Sequence, residues 1–271
     1  MQEKAQREFG LIRKHDLLAL CLVIEDRNRY YLVKRTLDIV IALGLLVLLF
    51  PLMLLIAASI YIYSPGPVFF TQERVGSKKE LRNKSRYWKR VPFHCYKFRT
   101  MKLDADSAVH KAYVQALIQN DEKKMDALQE ASIQFSGQEG SYEQVLASQN
   151  APTRPRKLVH DSRIIRPGVL LRKFSLDELP QLWNVLRGDM SLVGPRPAIP
   201  YEVEIYEPWH LRRLEAQPGL TGLQQVTARC NVDFDQQVKI DIEYVEKQSL
   251  WLDIKIILKT PFAVISTKGA Y

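Results

Sequence analysis

The sequence predicts an α+β, mainly helical protein that a single proline-broken apolar helix holds in a membrane. Three observations carry that prediction. Between Asp38 and Glu73, 34 consecutive positions carry no charge. Helical apolar spacing recurs through the polar remainder, whereas a strand signal is confined to a small β element at Val68-Phe69-Phe70. The 271 residues, 46% hydrophobic and 25% charged, suffice for a real core and exclude wholesale disorder or a collagen-like repeat.

The apolar run comes first. Its centre, Ile39 to Ile62, is interrupted only by Gly44, Pro51 and Ser59. That exceeds the roughly 20 residues that cross a bilayer core. It begins too far from the N-terminus, with the wrong flanks, for a cleavable signal peptide. Pro51 deletes one backbone hydrogen bond and crowds the carbonyl of Val47, so in lipid the helix bends there or finds another partner. Arg27, Arg29, Lys34 and Arg35 precede the run, and eleven basic residues against one acid lie between Arg74 and Lys102. Positive charge keeps both flanks in the cytoplasm. The flanks therefore favour a re-entrant helix, broken at Pro51, over a single crossing.

Residues 1–33 form an N-terminal extension in which Leu17 to Ile24 is either an interfacial helix or a packing element. Residues 34–65 are the re-entrant membrane helix, closed by Ser64-Pro65-Gly66-Pro67. Residues 66–103 and 159–271 make a cytoplasmic catalytic domain. The basic block Ser77 to Arg90 is either a solvated face or a contact for anionic headgroups. Residues 104–158 read as a helical insertion, from the spacing of Val109, Tyr113, Ala116 and Leu117. Near the end, Leu250, Trp251, Ile254, Ile257 and Leu258 share a helix face that can lie in the membrane interface or pack on protein.

Net charge is +9 and the pI is near 9.4, which asks for an anionic partner. Three scattered cysteines support neither a disulfide framework nor a CxxC site. Phosphate-binding glycine loops and HExxH are absent, and the five histidines show no ligand spacing.

Chemistry concentrates in 171–197, LRKFSLDELPQLWNVLRGDMSLVGPRP. Leu179, Leu182, Trp183 and Leu186 form a helical stripe that ends at Gly188. Proline is tolerated in a first turn, which fits Asp177 as N-cap with Pro180 third in the helix. Ser175 as cap would instead form a capping box with Glu178. Either way Asp177 and Glu178 sit at a helix start, where a plain capping role is the modest alternative. Arg172 and Lys173 lie just before them, Arg196 lies in the rigid Gly-Pro-Arg-Pro, and Lys97 and Arg99 lie in Tyr-Lys-Phe-Arg-Thr-Met. A carboxylate at a positive helix end among cations is expected to have a lowered pKa and to be fully ionised. Such a group suits attack on phosphorus or ligation of a divalent metal, and arginines suit phosphate. Beside a membrane helix, the substrate is expected to be a phosphorylated lipid.

These residues closely resemble the bacterial initiating sugar transferases, or monotopic phosphoglycosyl transferases. The matching stretches are KRTLDIVIA…FP (34–51), GPVFFTQERVG (66–76), YKFRTM (96–101), 171–197, PGLTGLQQV (218–226) and DIEYVEKQSLWLDIKIILKT (241–260). The resemblance implies transfer of a sugar-1-phosphate from a UDP-sugar to a polyprenyl phosphate, usually undecaprenyl phosphate, with release of UMP. It implies Asp177 as covalent nucleophile and Mg²⁺ ligand, and Glu178 as the acid/base group. Arg172 is implied to hold phosphate, Arg196 to contact nucleotide or phosphate, and Lys97 and Arg99 to bind substrate. Asp253 is a further substrate candidate that could equally cap or pair structurally. Expected partners are the UDP-sugar, the polyprenyl phosphate and membrane lipids, with no nucleic acid and with homo-oligomerisation open. The expected location is the bacterial inner membrane, with the catalytic domain on its cytoplasmic face. Three departures stand out: Phe50 rather than Ser precedes Pro51, Leu223 rather than Trp follows PGLTG, and 104–158 is long. The competing reading is a non-catalytic, membrane-anchored protein that binds anionic lipid or nucleic acid through its basic face.

Overall fold

A computed structural model describes residues 27–82, 85–103, 108–119, 121, 123–125, 127–128, 163–228 and 232–265. The expectations for 1–26, 104–107 and 129–158 fall outside them. The described chain is mostly helical with a small β component, as its sequence predicts.

Helix α1 (Asn28–Tyr63) contains the apolar run and has 36 residues, about 54 Å at 1.5 Å per residue. It does not stop at Pro51 but runs on to Tyr63. A proline removes one hydrogen bond and forces a local adjustment; it need not end a helix whose other bonds persist. Both ends of α1 are tied to one folded body. At the start, Tyr31 Oη donates to Gln248 Oε1 at 3.1 Å, and Lys34 Nζ pairs with Asp253 Oδ2 at 2.8 Å. The Arg35 guanidinium donates to the Val185 and Leu186 carbonyls at 2.6 and 2.8 Å, and the Leu192 N–H donates to Asp38 at 3.0 Å. At the far end, Ile56 and Ile60 pack on Phe98, Ile165 and Leu171. Between them Leu43, Val47, Leu48, Phe50, Leu54 and Leu55 are exposed.

Strands β1 (Phe69–Arg82) and β2 (Ser85–Phe98) form an antiparallel ribbon, with Phe69 opposite Phe98 and Arg82 opposite Ser85. The sequence signals only its first residues. Beyond them the basic block replaces the apolar alternation, so side-chain pattern does not announce the strand. Helix α2 (Ala108–Ile118) opens the region read as an insertion. It packs Val114 and Ile118 against Phe234, Val238 and Ile242, so its inner face belongs to the core.

Helix α3 (Arg166–Lys173), a 3₁₀ turn (Leu176–Glu178) and α4 (Gln181–Arg187) follow. As the sequence predicts, Gly188 ends α4, in the left-handed conformation (φ 81°) that glycine adopts without penalty. Strands β3 (Ser191–Val193) and β4 (Gly219–Thr221) pair in parallel. They approach so closely that a Cβ on Gly219 would fall 2.0 Å from the Gly194 nitrogen, which excludes any side chain. Short helix α5 (Pro200–Val203), a 3₁₀ turn at His210–Leu214 and α6 (Leu223–Thr227) lead into α7 (Phe234–Lys247) and α8 (Leu250–Ile265). The core gathers Ala42, Phe93, Cys95, Leu182, Val185, Met190, Leu192, Val193, Tyr244 and Ile256. On α8, Asp253 and Ile256 point inward, whereas Trp251, Ile254 and Leu258 are exposed rather than packed on protein.

Candidate active site

Strand alternation puts every second residue of β2 on one face of the ribbon. Lys97, opposite Phe70, and Cys95, opposite Gln72, share that face with Arg74, opposite Phe93. The ladder continues past the strand through the Arg99 N–H, which donates to the Val68 carbonyl at 2.8 Å. Arg99 thus follows Lys97 in the same row.

The carboxylates reach this row on the 3₁₀ turn. The sequence places Asp177 or Ser175 as cap of the following α-helix; the structure corrects this. That helix begins only at Gln181, no side chain caps the 3₁₀ turn, and the Ser175–Glu178 capping box is not formed. Pro180 explains the delay: it directly precedes α4 and takes the N-cap place, where a missing N–H costs nothing. Ser175 has φ 53°, the one positive value among the described non-glycine residues. Such a conformation persists only where its surroundings fix it, and here it turns the chain from α3 towards Asp177.

Lys97 Nζ meets Glu178 Oε1 at 2.6 Å, with side chains 20% and 30% exposed. Arg172 Nε donates to Thr100 Oγ1 at 3.0 Å. α3 lies so near Thr100 that a Cβ on Gly168 would come within 2.4 Å of the Thr100 carbonyl oxygen. Lys97 and Arg172 both act on Asp177 and favour its ionised form, but burial outweighs them and raises its carboxyl above the usual range. The expectation of a lowered pKa is therefore wrong in sign. It counted the cations and could not count the water lost around the group.

The structure brings Asp177, Glu178, Lys97 and Arg172 together. Arg99 is buried immediately beyond, its guanidinium donating to the Ser64 carbonyl at the exit of α1. Arg196 is exposed on the Gly-Pro-Arg-Pro turn; burial, and after it the charge of Arg196, disfavour the charged form of Arg74. Asp253 is 5% exposed and, among the described residues, accepts from Tyr30, Lys34 and Tyr244 at 2.9, 2.8 and 2.7 Å, none of them in this group, tying α1 to α7 and α8.

Sequence reasoning missed two residues. Asn184 is fully buried, accepts from the Tyr96 N–H at 3.0 Å and donates to the His94 carbonyl at 2.7 Å. It fastens α4 to β2 and so holds the carboxylate turn against Lys97. An amide inside an apolar helical stripe was the available signal. Arg74, only 5% exposed, donates to the Pro197 carbonyl at 2.9 Å and to Gln72 at 2.6 Å. Its place in a basic flank hid it.

A carboxylate pair in a cage of lysine and arginine, beside a long apolar helix, suits the handling of phosphate-bearing groups. The chain belongs to the bacterial sugar transferase family, whose model matches residues 29–267. It is 36% identical over 238 residues to the exopolysaccharide production protein ExoY of Rhizobium meliloti, covering 88% of each chain. It is 34% identical to the undecaprenyl-phosphate galactose phosphotransferase of Salmonella typhimurium, over 97% of this chain but 47% of that one. It is 36% identical to the UDP-glucose:undecaprenyl-phosphate glucose-1-phosphate transferase of Caulobacter vibrioides, over 88% of this chain and 72% of that one. The chain thus spans most of some relatives and about half of others. Family membership makes it a phosphoglycosyl transferase and sets aside the non-catalytic reading.

Proposed function

We propose that the protein transfers a sugar-1-phosphate from a UDP-sugar to undecaprenyl phosphate at the cytoplasmic face of the inner membrane, releasing UMP, through a phosphosugar carried on Asp177. The observation that carries this reading is the Asp177–Glu178 pair, fixed on its 3₁₀ turn between Lys97 and Arg172. The Asp177 carboxylate attacks the sugar-bearing phosphorus. The bridging P–O bond breaks and its electron pair leaves with UMP. Glu178, hydrogen-bonded to Lys97, takes the proton from the acceptor phosphate, whose oxygen then attacks the same phosphorus and frees Asp177. Lys97 and Arg172 neutralise charge that builds on phosphate oxygens.

The donor set suits Mg²⁺, which is held by one or two carboxylates together with substrate phosphates. Asp177, with Glu178 beside it, would hold the ion, which would supply charge neutralisation at the donor diphosphate. Among the described residues no cluster of three or more ligating side chains offers a closed protein-only cage.

The attachment of both ends of α1 to one body supports a re-entrant helix in a monotopic protein, with the exposed stretch around Pro51 in lipid. The outward Trp251, Ile254 and Leu258 support an interfacial α8. Cysteines placed near residues 30 and 80 should both resist labelling from outside the cell; labelling of one alone contradicts this topology. The activity is tested by UMP release with undecaprenyl phosphate and a panel of UDP-sugars. At least one sugar should give acceptor-dependent product, and silence across the panel with a folded enzyme would refute the proposal.

A further inference from the structure

Two arginines of the ribbon are buried without a carboxylate partner. Arg74 is 5% exposed and Arg99 4%. Among the described residues neither makes an ion pair. Arg74 Nε, and Arg99 Nε and Nη1, are buried with no hydrogen-bond partner. A guanidinium taken out of water is costly unless an anion or a full set of acceptors replaces the water. Two other buried cations do have a carboxylate: Arg213 pairs with Asp241 at 2.5 Å, although its Nε also lacks a hydrogen-bond partner, and Lys34 pairs with Asp253 at 2.8 Å. The exceptions lie in one row with Lys97, one on each side of the Lys97–Glu178 pair.

Six residues separate Phe93, the partner of Arg74, from Arg99. At about 3.3 Å per residue the two backbones stand roughly 20 Å apart, so the two groups serve different regions of the site. Their neighbourhoods differ too. Arg99 is wrapped by the turn that leaves the apolar helix: its guanidinium donates to the Ser64 carbonyl, and a Cβ on Gly66 would lie 3.0 Å from its Nη1. The residues before that turn, Tyr61, Ile62 and Tyr63, are exposed and lipid-compatible. Arg74 lies away from that exit, bonded to the Pro197 carbonyl next to Arg196; burial first and the Arg196 charge second disfavour its charged form, which Glu202 favours. A dianionic or diphosphate group relieves that repulsion.

We infer that these are two phosphate sockets of opposite allegiance: Arg99 receives the phosphate of the lipid acceptor where it emerges beside α1, and Arg74, with Arg196, receives the diphosphate of the nucleotide-sugar donor. The Lys97–Glu178 pair and Asp177 lie between, where the phosphosugar changes hands. This rests on the transferase reading above and assigns its two substrates to sides of the site.

The test is a steady-state comparison of Arg74→Lys, Arg74→Met, Arg99→Lys and Arg99→Met in the full chain. Lysine keeps the charge but loses the fork, and it guards against a methionine variant that fails to fold. The Arg74 variants should raise the KM for the UDP-sugar about 10–100-fold, the loss expected of a hydrogen bond to a charged group, with the acceptor KM within about twofold. The Arg99 variants should show the reverse. Equal effects on both KM values, or a fall in kcat and Tm alone, would mean that the arginines are structural and would overturn the assignment. If wild type releases no UMP, the transferase reading itself fails. The sockets are then judged by equilibrium binding, UDP weakening with the Arg74 variants and undecaprenyl phosphate with the Arg99 variants; any other pattern overturns them.

Discussion

Replacing Lys97 with Met removes the cation that faces both carboxylates. The Lys97–Glu178 bond is 2.6 Å long, with side chains 20% and 30% exposed, between a solvent-screened pair worth at most about 1 kcal/mol and a buried one whose breaking costs about 3–5 kcal/mol. A loss of about 2 kcal/mol follows, which for a protein near this size lowers Tm by roughly 4–8 °C. The second consequence concerns Asp177. Lys97 is the strongest of the influences that oppose its desolvation, so without it the carboxyl rises further. Because ionised Asp177 is the attacking form, the acid limb of donor-only UMP release should move to higher pH. Calorimetry and the pH profile of the UMP burst read the two effects separately. Glu178→Gln in the same chain should restore part of the lost stability, since the amide no longer leaves a charge uncompensated. The reasoning fails if Tm is unchanged and the acid limb stays in place or moves to lower pH.

Gly168→Ala should lower Tm and slow transfer together, because the new methyl would meet the Thr100 carbonyl oxygen at 2.4 Å and push α3, with Arg172, off Thr100. Ile118→Ala should cost about 2–4 kcal/mol in denaturant unfolding, since Ile118 is 7% exposed and packs on α7. For the same reason, deleting 106–155 should unfold the protein, whereas a deletion that spares α2 should not. Burial pushes the Glu215 carboxyl up to about 7, and one of its oxygens has no partner among the described residues. The folded state then holds this proton more tightly than the unfolded chain, so Tm should fall as pH rises from the ordinary glutamate range through about 7, and Glu215→Gln should flatten that slope.

The parts of the fold legible in the sequence are those written in local pattern: the uncharged run of α1, the apolar stripe of α4, and its end at Gly188. Spacing alone could not join Lys97 to Glu178, 81 positions away, but Arg172, Asp177 and Glu178 were legible as charge gathered in a short motif. The long ribbon was not, because Ser77 to Arg90 carries a basic surface in place of strand alternation. Nor was the 3₁₀ turn, since Pro180 is compatible with several helix starts and tertiary contacts choose among them. Asn184 and Arg74 act through residues about 90 and 120 positions away, and single-sequence spacing carries no such distances. The sign of the Asp177 shift was lost for a related reason. Neighbouring cations can be read from sequence, but burial belongs to the assembled fold.

The central claim is the phosphosugar on Asp177, and mass measurement of intact protein tests it most directly. Enzyme incubated with Mg²⁺ and its UDP-sugar, without acceptor, should release one equivalent of UMP and gain the mass of one phosphosugar on the peptide that contains Asp177. Asp177→Asn should show neither change, because an amide does not attack phosphorus, and Glu178→Gln should form the adduct but discharge it slowly to undecaprenyl phosphate. Near-normal turnover by Asp177→Asn, or UMP release only when acceptor is present and never with added mass, would contradict the account and point to direct transfer between the two substrates.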